Sequence, residues 1–237
     1  MWPVCGTNTR PTTCKLAQRL RPIMKEQLSS SQFCAVPGNS ILKAVATVRD
    51  AITYAENTRT PLCVLTLDFE SAFDRMSHSY LFNILRRYGI SQCFIERIRN
   101  LYNGATASIQ INGMLTGWIP IRCAVRQGCP LSMVLYALCL HPLLRTLEDT
   151  LQGIHFRGTK RISPVLAYAD DITVLVTETK DFETILQSIH TYEKATRVRL
   201  NTQKLKALAI ANWTAPVTAL GIDFQDQGSL GSNLRLQ

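Results

Sequence analysis

Two adjacent carboxylates interrupt an otherwise apolar stretch of this chain. Tyr168-Ala169-Asp170-Asp171 lies between the apolar, β-branched runs 165–167 and 172–176. Two such runs separated by a short polar segment predict a β-hairpin, with Asp170 and Asp171 at its tip. Neighbouring carboxylates repel each other, and a bound cation removes that repulsion. The pattern therefore constrains the fold to include a hairpin and suggests a metal site at its tip.

A further acid follows a second apolar run. Residues 63–67 predict a buried strand, and Asp68 follows it directly, so this carboxylate points out of the core and can converge with Asp170. Carboxylate oxygens are ligands that Mg²⁺ prefers. Two such ions can activate an attacking hydroxyl and stabilise a leaving pyrophosphate. Each acid taken alone is equally typical of an ordinary strand end or turn.

A third motif, Arg126-Gln127-Gly128-Cys129-Pro130-Leu131-Ser132, lies between the two acidic segments. Gly128 allows a ligand to approach the backbone closely, and Pro130 suits the first turn of a helix. Together with Asp68 to Asp74 before it and Tyr168 to Asp171 after it, this motif resembles the reverse transcriptases of non-LTR (LINE-type) retrotransposons. Their palm carries the same three blocks in the same order.

The resemblance covers nearly the whole chain, from about Arg10 to Phe224. It implies RNA-directed DNA polymerisation on a primer 3′-OH, with Mg²⁺ (Mn²⁺ possible), an RNA template, a DNA primer and deoxynucleoside triphosphates. It also implies roles for individual residues. These are Asp68, Asp170 and Asp171 as metal ligands and catalytic acids; Lys204 as proton donor to pyrophosphate; Phe73 as the gate against a ribose 2′-OH; Arg126, Gln127 and Gly128 as nucleotide-binding; and Leu220 and Gly221 as the primer grip.

Two of these residues have simpler interpretations. Phe73 is also typical of a core aromatic residue at a strand–helix junction. Lys204 is also typical of a solvated surface lysine.

The fold implied by the resemblance is an α+β right-hand polymerase palm. We expect an antiparallel sheet with helices on one face and the other face free for a duplex. Residues 1–62 would form partial fingers, 63–224 the palm with an interleaved fingers segment, and 225–237 a disordered tail. The fingers and palm form one reverse transcriptase domain in this interpretation. The thumb is absent, and a longer polyprotein could supply a thumb or an endonuclease.

Several positions depart from the family pattern. The family usually has Arg at position 39, Gly at 197 and Pro at 133, where this chain has Asn39, Arg197 and Met133. Segment 9–17 resembles a shortened finger motif. Losing a guanidinium at position 39 removes a bidentate phosphate donor. The missing thumb, Asn39 and the shortened finger motif favour an alternative, a catalytically inactive retroelement-derived fragment that binds nucleic acid. A metal-dependent phosphohydrolase would leave Phe73 and the third motif unexplained.

Charge indicates a polyanionic partner. The chain has 26 Lys and Arg against 17 Asp and Glu, a net charge of +9. The first fifty residues carry a clear excess of basic side chains, which places basic charge in the expected fingers. A basic face that serves only solubility is the alternative interpretation.

The remaining sequence patterns bear on membranes, metal or redox cysteines and secretion. The longest apolar run, 133–140, is followed by His141-Pro142 and is too short to span a bilayer, so no membrane is expected. The cysteines show no paired spacing for a zinc or redox site, and no secretory signal is visible. We therefore expect an intracellular protein, nuclear or cytoplasmic and not secreted.

The predicted local elements are helices beginning after Ser77 and Ser91, a turn at Asn112-Gly113, and a helix over about 181–196.

Overall fold

The computed structural model describes residues 10–126, 128–156, 161–214 and 223–226, with only the backbone at residue 10 and at 223–226. Seven α-helices lie in these ranges. They are α1 (Arg10–Gln27), α2 (Ile41–Thr58), α3 (Ala72–Arg75), α4 (His78–Arg87), α5 (Gln92–Tyr102), α6 (Pro130–Thr150) and α7 (Asp181–Thr196).

The same ranges contain eleven short strands. They are β1 (Leu62–Leu67), β2 (Phe69–Glu70), β3 (Thr106–Ala107), β4 (Gln110–Ile111), β5 (Met114–Leu115), β6 (Ile119–Pro120), β7 (Val165–Tyr168), β8 (Asp171–Val176), β9 (Arg199–Leu200), β10 (Lys206–Ile210) and β11 (Asp223–Asp226). Five of them form the main sheet in the order β11-β10-β1-β8-β7, and the others pair as β2-β9, β3-β6 and β4-β5.

The main sheet is antiparallel from β10 to β7, as expected, whereas β10 and β11 pair in parallel. Its central strand, β1, is bordered by β8 and β10. The edge strand β7 gains a further neighbour, because Gln32 forms a parallel bridge with Ala167. The N-terminal segment is thereby joined to the hairpin that carries the paired acids.

Most helices cover one face of the sheet. Alternate β1 residues Cys63, Leu65 and Leu67 face this side and belong to one core with residues of α1, α4, α5, α6 and α7. Such alternation follows from the two-residue period of a strand. Helix α6 lies at the centre of this core, and its Tyr136 and Leu135 are fully buried.

Helix α6 is longer than the apolar run 133–140. It continues through His141 and Pro142 to Thr150. Proline removes one backbone donor and its ring crowds the carbonyl of the preceding turn, and burial of the helix by its neighbours offsets that cost. By length and composition α6 could cross a membrane, but most of its apolar stretch is buried inside the protein.

The expectation of helices on one face only is wrong for part of the sheet. The opposite side of β1 presents Leu62 and Val64, which pack with Ala51 and Ala55 of α2 in a second, smaller core. Apolar side chains at alternate positions on both faces need cover on both faces, and α2 supplies it. The part of this face near Asp68 and Asp171 has polar residues instead.

Several local predictions are confirmed. Helix α7 has the expected bounds, and α4 and α5 follow Ser77 and Ser91, although neither serine side chain caps its helix. Asn112 and Gly113 both have positive φ, 49° and 87°, in the turn between β4 and β5. This conformation suits a two-residue hairpin turn.

The boundary between fingers and palm stays a prediction. Leu16, Leu20 and Met24 of α1 lie in the same core as the central sheet, so the N-terminal helix and the sheet are packed together. The expected disordered tail, 225–237, is wrong at its start, because β11 extends to Asp226, and its residues from 227 onward lie outside the described residues.

Candidate catalytic site

The three acids lie at the ends of neighbouring strands. In the register between β1 and β8, Leu67 is opposite Ile172, so the residues that follow and precede them, Asp68 and Asp171, are neighbours at this end of the sheet. The hairpin of β7 and β8 pairs Tyr168 with Asp171, which places Ala169 and Asp170 at the turn. Ala169 has a φ of 59°, a conformation that residues other than glycine rarely adopt.

A polar cavity of about 540 Å³ opens at these strand ends. Asp68 and Asp170 both line it, together with Phe73, Asn201 and Lys204. Asp68 and Asp171 also line an adjoining groove of about 390 Å³. The acids that are distant along the chain are therefore close in space.

The carboxylates influence one another electrostatically. Burial raises the pKa of Asp170 above its ordinary value, and the negative charges of Asp171 and Asp68 raise it further. Burial and like-charge repulsion both disfavour the ionised carboxylate of Asp170, whereas a bound cation would favour it. In the described part of the chain, no group of three or more His, Cys, Asp or Glu side chains already has the arrangement of a metal site.

Asp68 is held by two side chains. Asn201 Nδ2 donates to Asp68 Oδ2 at 3.2 Å, and Lys204 Nζ lies 3.3 Å from the same oxygen. The backbone of Asn201 also donates to the carbonyl of Asp68 at 2.8 Å. Pairing of β2 with β9 brings these segments together, and Lys204 ends the 3₁₀ turn Thr202–Lys204 that follows.

Contacts of both its backbone and its ring fix the position of Phe73. Its carbonyl accepts a 2.7 Å hydrogen bond from the amide of Val125, and Met76 accepts one from Ala124. Its ring stacks on Tyr136 of α6, with 4.6 Å between centroids and 21° between planes. The residue proposed as a gate therefore lies at the cavity wall, tied to the segment that leads into the third motif.

The nucleotide-binding residues expected in the third motif are only partly described. Arg126 donates from Nη2 to the carbonyl of Leu101 at 2.8 Å, and thus contacts the C-terminal turn of α5. Gly128 is exposed, with a φ of 72° that suits glycine. Gln127, Leu220 and Gly221 lie outside the described residues.

The positions that depart from the family pattern have local roles. Asn39 Nδ2 donates to the carbonyl of Gln32 at 2.8 Å and closes the loop between α1 and α2. Arg197 is the C-cap of α7, with a φ of 70°. Glycine is the residue that adopts this conformation at least cost. Met133 is half-buried in the first turn of α6.

Sequence reasoning missed three neighbours of the site. Asn201 was visible only as part of the segment before Lys204. Tyr136 lies in an apolar run that gives no sign of its contact with Phe73. Cys34 lies beside the turn at Ala169 and Asp170, where burial raises the pKa of its thiol. No local pattern indicates these contacts, because each joins segments far apart in sequence.

Comparisons with known proteins agree with the motifs. A family model described as "Reverse transcriptase (RNA-dependent DNA polymerase)" matches residues 2–224. The transposon TX1 uncharacterized 149 kDa protein of Xenopus laevis is 33% identical over 193 residues, which is 81% of this chain and 15% of that protein. A Pol polyprotein from type-1 retrotransposable element R2 of Popillia japonica is 30% identical over 200 residues, 83% of this chain and 27% of that protein.

A solved structure shares the fold at low identity. Telomerase from Candida albicans, solved with a fragment of telomeric RNA, is 11% identical, with a TM-score of 0.64 over 88% of this chain and 36% of that one. This likeness shows that the chain has a polymerase-type fold. The chain spans well under a third of the length of the two retrotransposon relatives.

Proposed function

This chain belongs to the reverse transcriptase (RNA-dependent DNA polymerase) family, of the non-LTR retrotransposon type, and on that premise we propose that it extends a primer 3′-OH by nucleotidyl transfer on an RNA template. The single observation that carries this proposal is the convergence of Asp68 and Asp170 in one cavity, with Asp171 beside them. Three carboxylates at one end of a sheet suit phosphoryl transfer, in which negative charge must be neutralised.

The donor set fits a hard divalent cation. Asp68, Asp170 and Asp171 offer only carboxylate oxygens, and the raised pKa of Asp170 reflects repulsion and burial that a cation would relieve. These three residues would hold Mg²⁺, with Mn²⁺ as a possible substitute. Bound there, the ions would favour the deprotonated primer hydroxyl and neutralise charge on the leaving pyrophosphate.

Other residues at the cavity would orient the substrates. Lys204, which contacts Asp68 and lines the same cavity, would donate a proton to pyrophosphate as it leaves. The ring of Phe73 would crowd a ribose 2′-OH and so favour deoxynucleotides, which is selection by repulsion.

The remaining binding residues are proposed from the family motifs. Arg126, Gln127 and Gly128 would contact the incoming nucleotide, although Arg126 is bound to Leu101 in the structure. Leu220 and Gly221 would contact the primer backbone.

The partners follow from the reaction. They would be an RNA template, a DNA primer and deoxynucleoside triphosphates, with a thumb or an endonuclease supplied by a longer polyprotein. The relatives' greater lengths support that context. We place this activity inside the cell, in the nucleus or cytoplasm, without secretion or a membrane.

Primer extension tests the proposal. The purified chain is incubated with poly(rA)/oligo(dT), dTTP and Mg²⁺, and extended primers are separated by length. We expect extension that EDTA abolishes and that added Mg²⁺ or Mn²⁺ restores. Absence of extension under all metal conditions would contradict polymerase activity.

A second candidate is an inactive fragment that binds nucleic acid. The observation in its favour is Asn39, which takes the place of a phosphate-binding arginine and whose amide is bound to Gln32 within its own loop. Phosphate neutralisation by Lys and Arg does not need catalytic geometry. RNA binding that weakens steeply with salt, without any dTMP incorporation, would select this candidate.

A further inference from the structure

The residue proposed as the sugar gate rests on a buried tyrosine. Phe73 lines the cavity with Asp68 and Asp170, and its ring stacks on Tyr136 at 4.6 Å between centroids. Stacked rings at this separation are in van der Waals contact over their faces. Tyr136 therefore occupies the space into which Phe73 would otherwise recede from a nucleotide.

Tyr136 itself has little freedom to move. It lies in the middle of α6, has no exposed surface and belongs to the main core. Buried side chains in close-packed interiors keep one rotamer, and changes of volume there are transmitted to neighbours. Its position is thus determined by the core and not by the cavity.

A second buried tyrosine, Tyr192, contacts the same segment of the chain. Tyr192 of α7 contacts Phe69, the residue after Asp68, with ring centroids 5.7 Å apart. Tyr192 also meets Tyr80 edge-on at 6.2 Å. Helices α6 and α7 therefore each place one tyrosine beneath the segment that runs from Asp68 to Phe73.

The hydroxyl of Tyr136 interacts with the hydroxyl of Tyr192. Among the described residues, however, neither hydroxyl makes a hydrogen bond of normal geometry. The stacked ring of Tyr136, and not its hydroxyl, is therefore the part that contacts the gate. Phenylalanine keeps that ring, whereas leucine removes the flat surface and leaves space beneath Phe73.

We propose that Tyr136 is a positioning residue that sets discrimination between deoxyribonucleotides and ribonucleotides by holding the ring of Phe73 against the cavity. The proposal rests on the function proposed above and names the residue on which its sugar selectivity depends. A ribose 2′-OH is rejected only if the ring of Phe73 cannot move away from it. Without the ring of Tyr136 behind it, the Phe73 ring can move, and selection by repulsion weakens.

Equilibrium binding tests this without requiring catalysis. Dissociation constants of dATP and ATP, which differ only at the 2′ position, are measured on poly(rU) annealed to a chain-terminated oligo(dA) primer with Mg²⁺. Wild type should bind dATP more tightly. Tyr136→Leu should reduce the ATP-to-dATP ratio of dissociation constants by roughly 10-fold, the scale of small steric differences in a pocket.

Two control variants separate positioning from general damage to the core. Tyr136→Phe keeps the stacked ring and should keep the wild-type ratio. Phe182→Leu makes a similar loss of volume in the same core, beside Trp213, and should also leave the ratio unchanged. Circular dichroism checks that each variant is folded.

The outcomes distinguish this inference from the proposed function. An unchanged ratio in folded Tyr136→Leu, or a wild type without preference for dATP, would overturn the positioning role. Single-nucleotide extension with an unterminated primer is measured separately. If wild type extends the primer but the ATP-to-dATP ratio of dissociation constants is unchanged in Tyr136→Leu, polymerase activity is supported and the positioning role is not. If the ratio changes but wild type does not extend the primer, only the positioning role is supported.

Discussion

Lys204 Nζ lies 3.3 Å from Asp68 Oδ2, and both residues line the cavity that Asp170 also lines. This contact joins the proposed proton donor to a proposed metal ligand. The Lys204 side chain is largely exposed, so the contact itself adds little to stability. Its value lies in holding the ammonium group at the site.

The lysine provides the first prediction. Lys204→Met should lower the rate of nucleotide incorporation by about 100-fold, because a positioned general acid contributes on that scale. Single-turnover extension measures the rate, and nucleotide affinity should change less. Lys194→Met, an exposed lysine of α7, is the matched control. Equal rates for the two variants would exclude the proton-donor role.

A backbone conformation provides the second prediction. Arg197 caps α7 with a φ of 70°. Arg197→Gly should therefore raise the free energy of unfolding by about 0.5–1 kcal/mol, since it relieves the left-handed strain at some entropic cost. Urea denaturation should show a higher midpoint with an unchanged slope. Arg197→Ala removes the charge but keeps the strain, and a similar gain from it would refute this explanation.

A buried histidine provides a prediction of pH dependence. His141 Nε2 accepts a 3.1 Å hydrogen bond from the amide of Ser29, so the neutral ring carries its proton on Nδ1, which faces Tyr88 Oη at 2.6 Å. Burial lowers the pKa of His141 below 6.5. The unfolded chain therefore takes up a proton at higher pH than the folded one.

Stability should accordingly be complete above pH 6.5 and fall as the pH decreases through 6.5 toward the lower folded-state pKa. Urea denaturation across this range measures the effect. His141→Gln should be less stable at neutral pH but should lose this part of the acid dependence. An identical pH profile in wild type and variant would contradict the assignment.

The fourth prediction concerns α1. Leu20 is 1% exposed within the core that contains the central sheet, whereas Leu42 of α2 is 76% exposed. Leu20→Ala should lower the free energy of unfolding by roughly 2–5 kcal/mol through loss of burial and a cavity. Leu42→Ala should have almost no effect. A small effect at Leu20 would show that α1 is not packed against the sheet in solution.

The sequence predicted what depends on neighbouring residues. The hairpin of β7 and β8, the bounds of α7 and the turn at Asn112-Gly113 follow from hydrophobic period and turn chemistry. Of the two acids expected at the hairpin tip, only Asp170 lies in the turn, because Asp171 is the first residue of β8. The three acids were also expected to converge, because strands that end in acids can share one sheet edge. The local pattern alone allows other strand orders, and the family resemblance indicated the order in which these strands share one edge.

Features that depend on long-range packing were not predictable in this way. Helix α2 covers part of the second sheet face because of Leu62 and Val64, which the sequence does not distinguish from residues facing the main core. The continuation of α6 past Pro142 reflects burial by surrounding helices. The stacking of Phe73 on Tyr136 joins segments whose pairing no periodicity reveals.

The central claim is that Asp68, Asp170 and Asp171 act together in DNA synthesis. Its most direct test is the rate of Mg²⁺-dependent primer extension by wild type, by Asp170→Asn and by Asp149→Asn, an acid of α6 paired on the surface with Arg145. The account predicts that Asp170→Asn lowers the rate by at least about 100-fold, on the scale of a lost electrostatic contribution to the transition state, and that Asp149→Asn matches wild type. Equal rates for wild type and Asp170→Asn would contradict it.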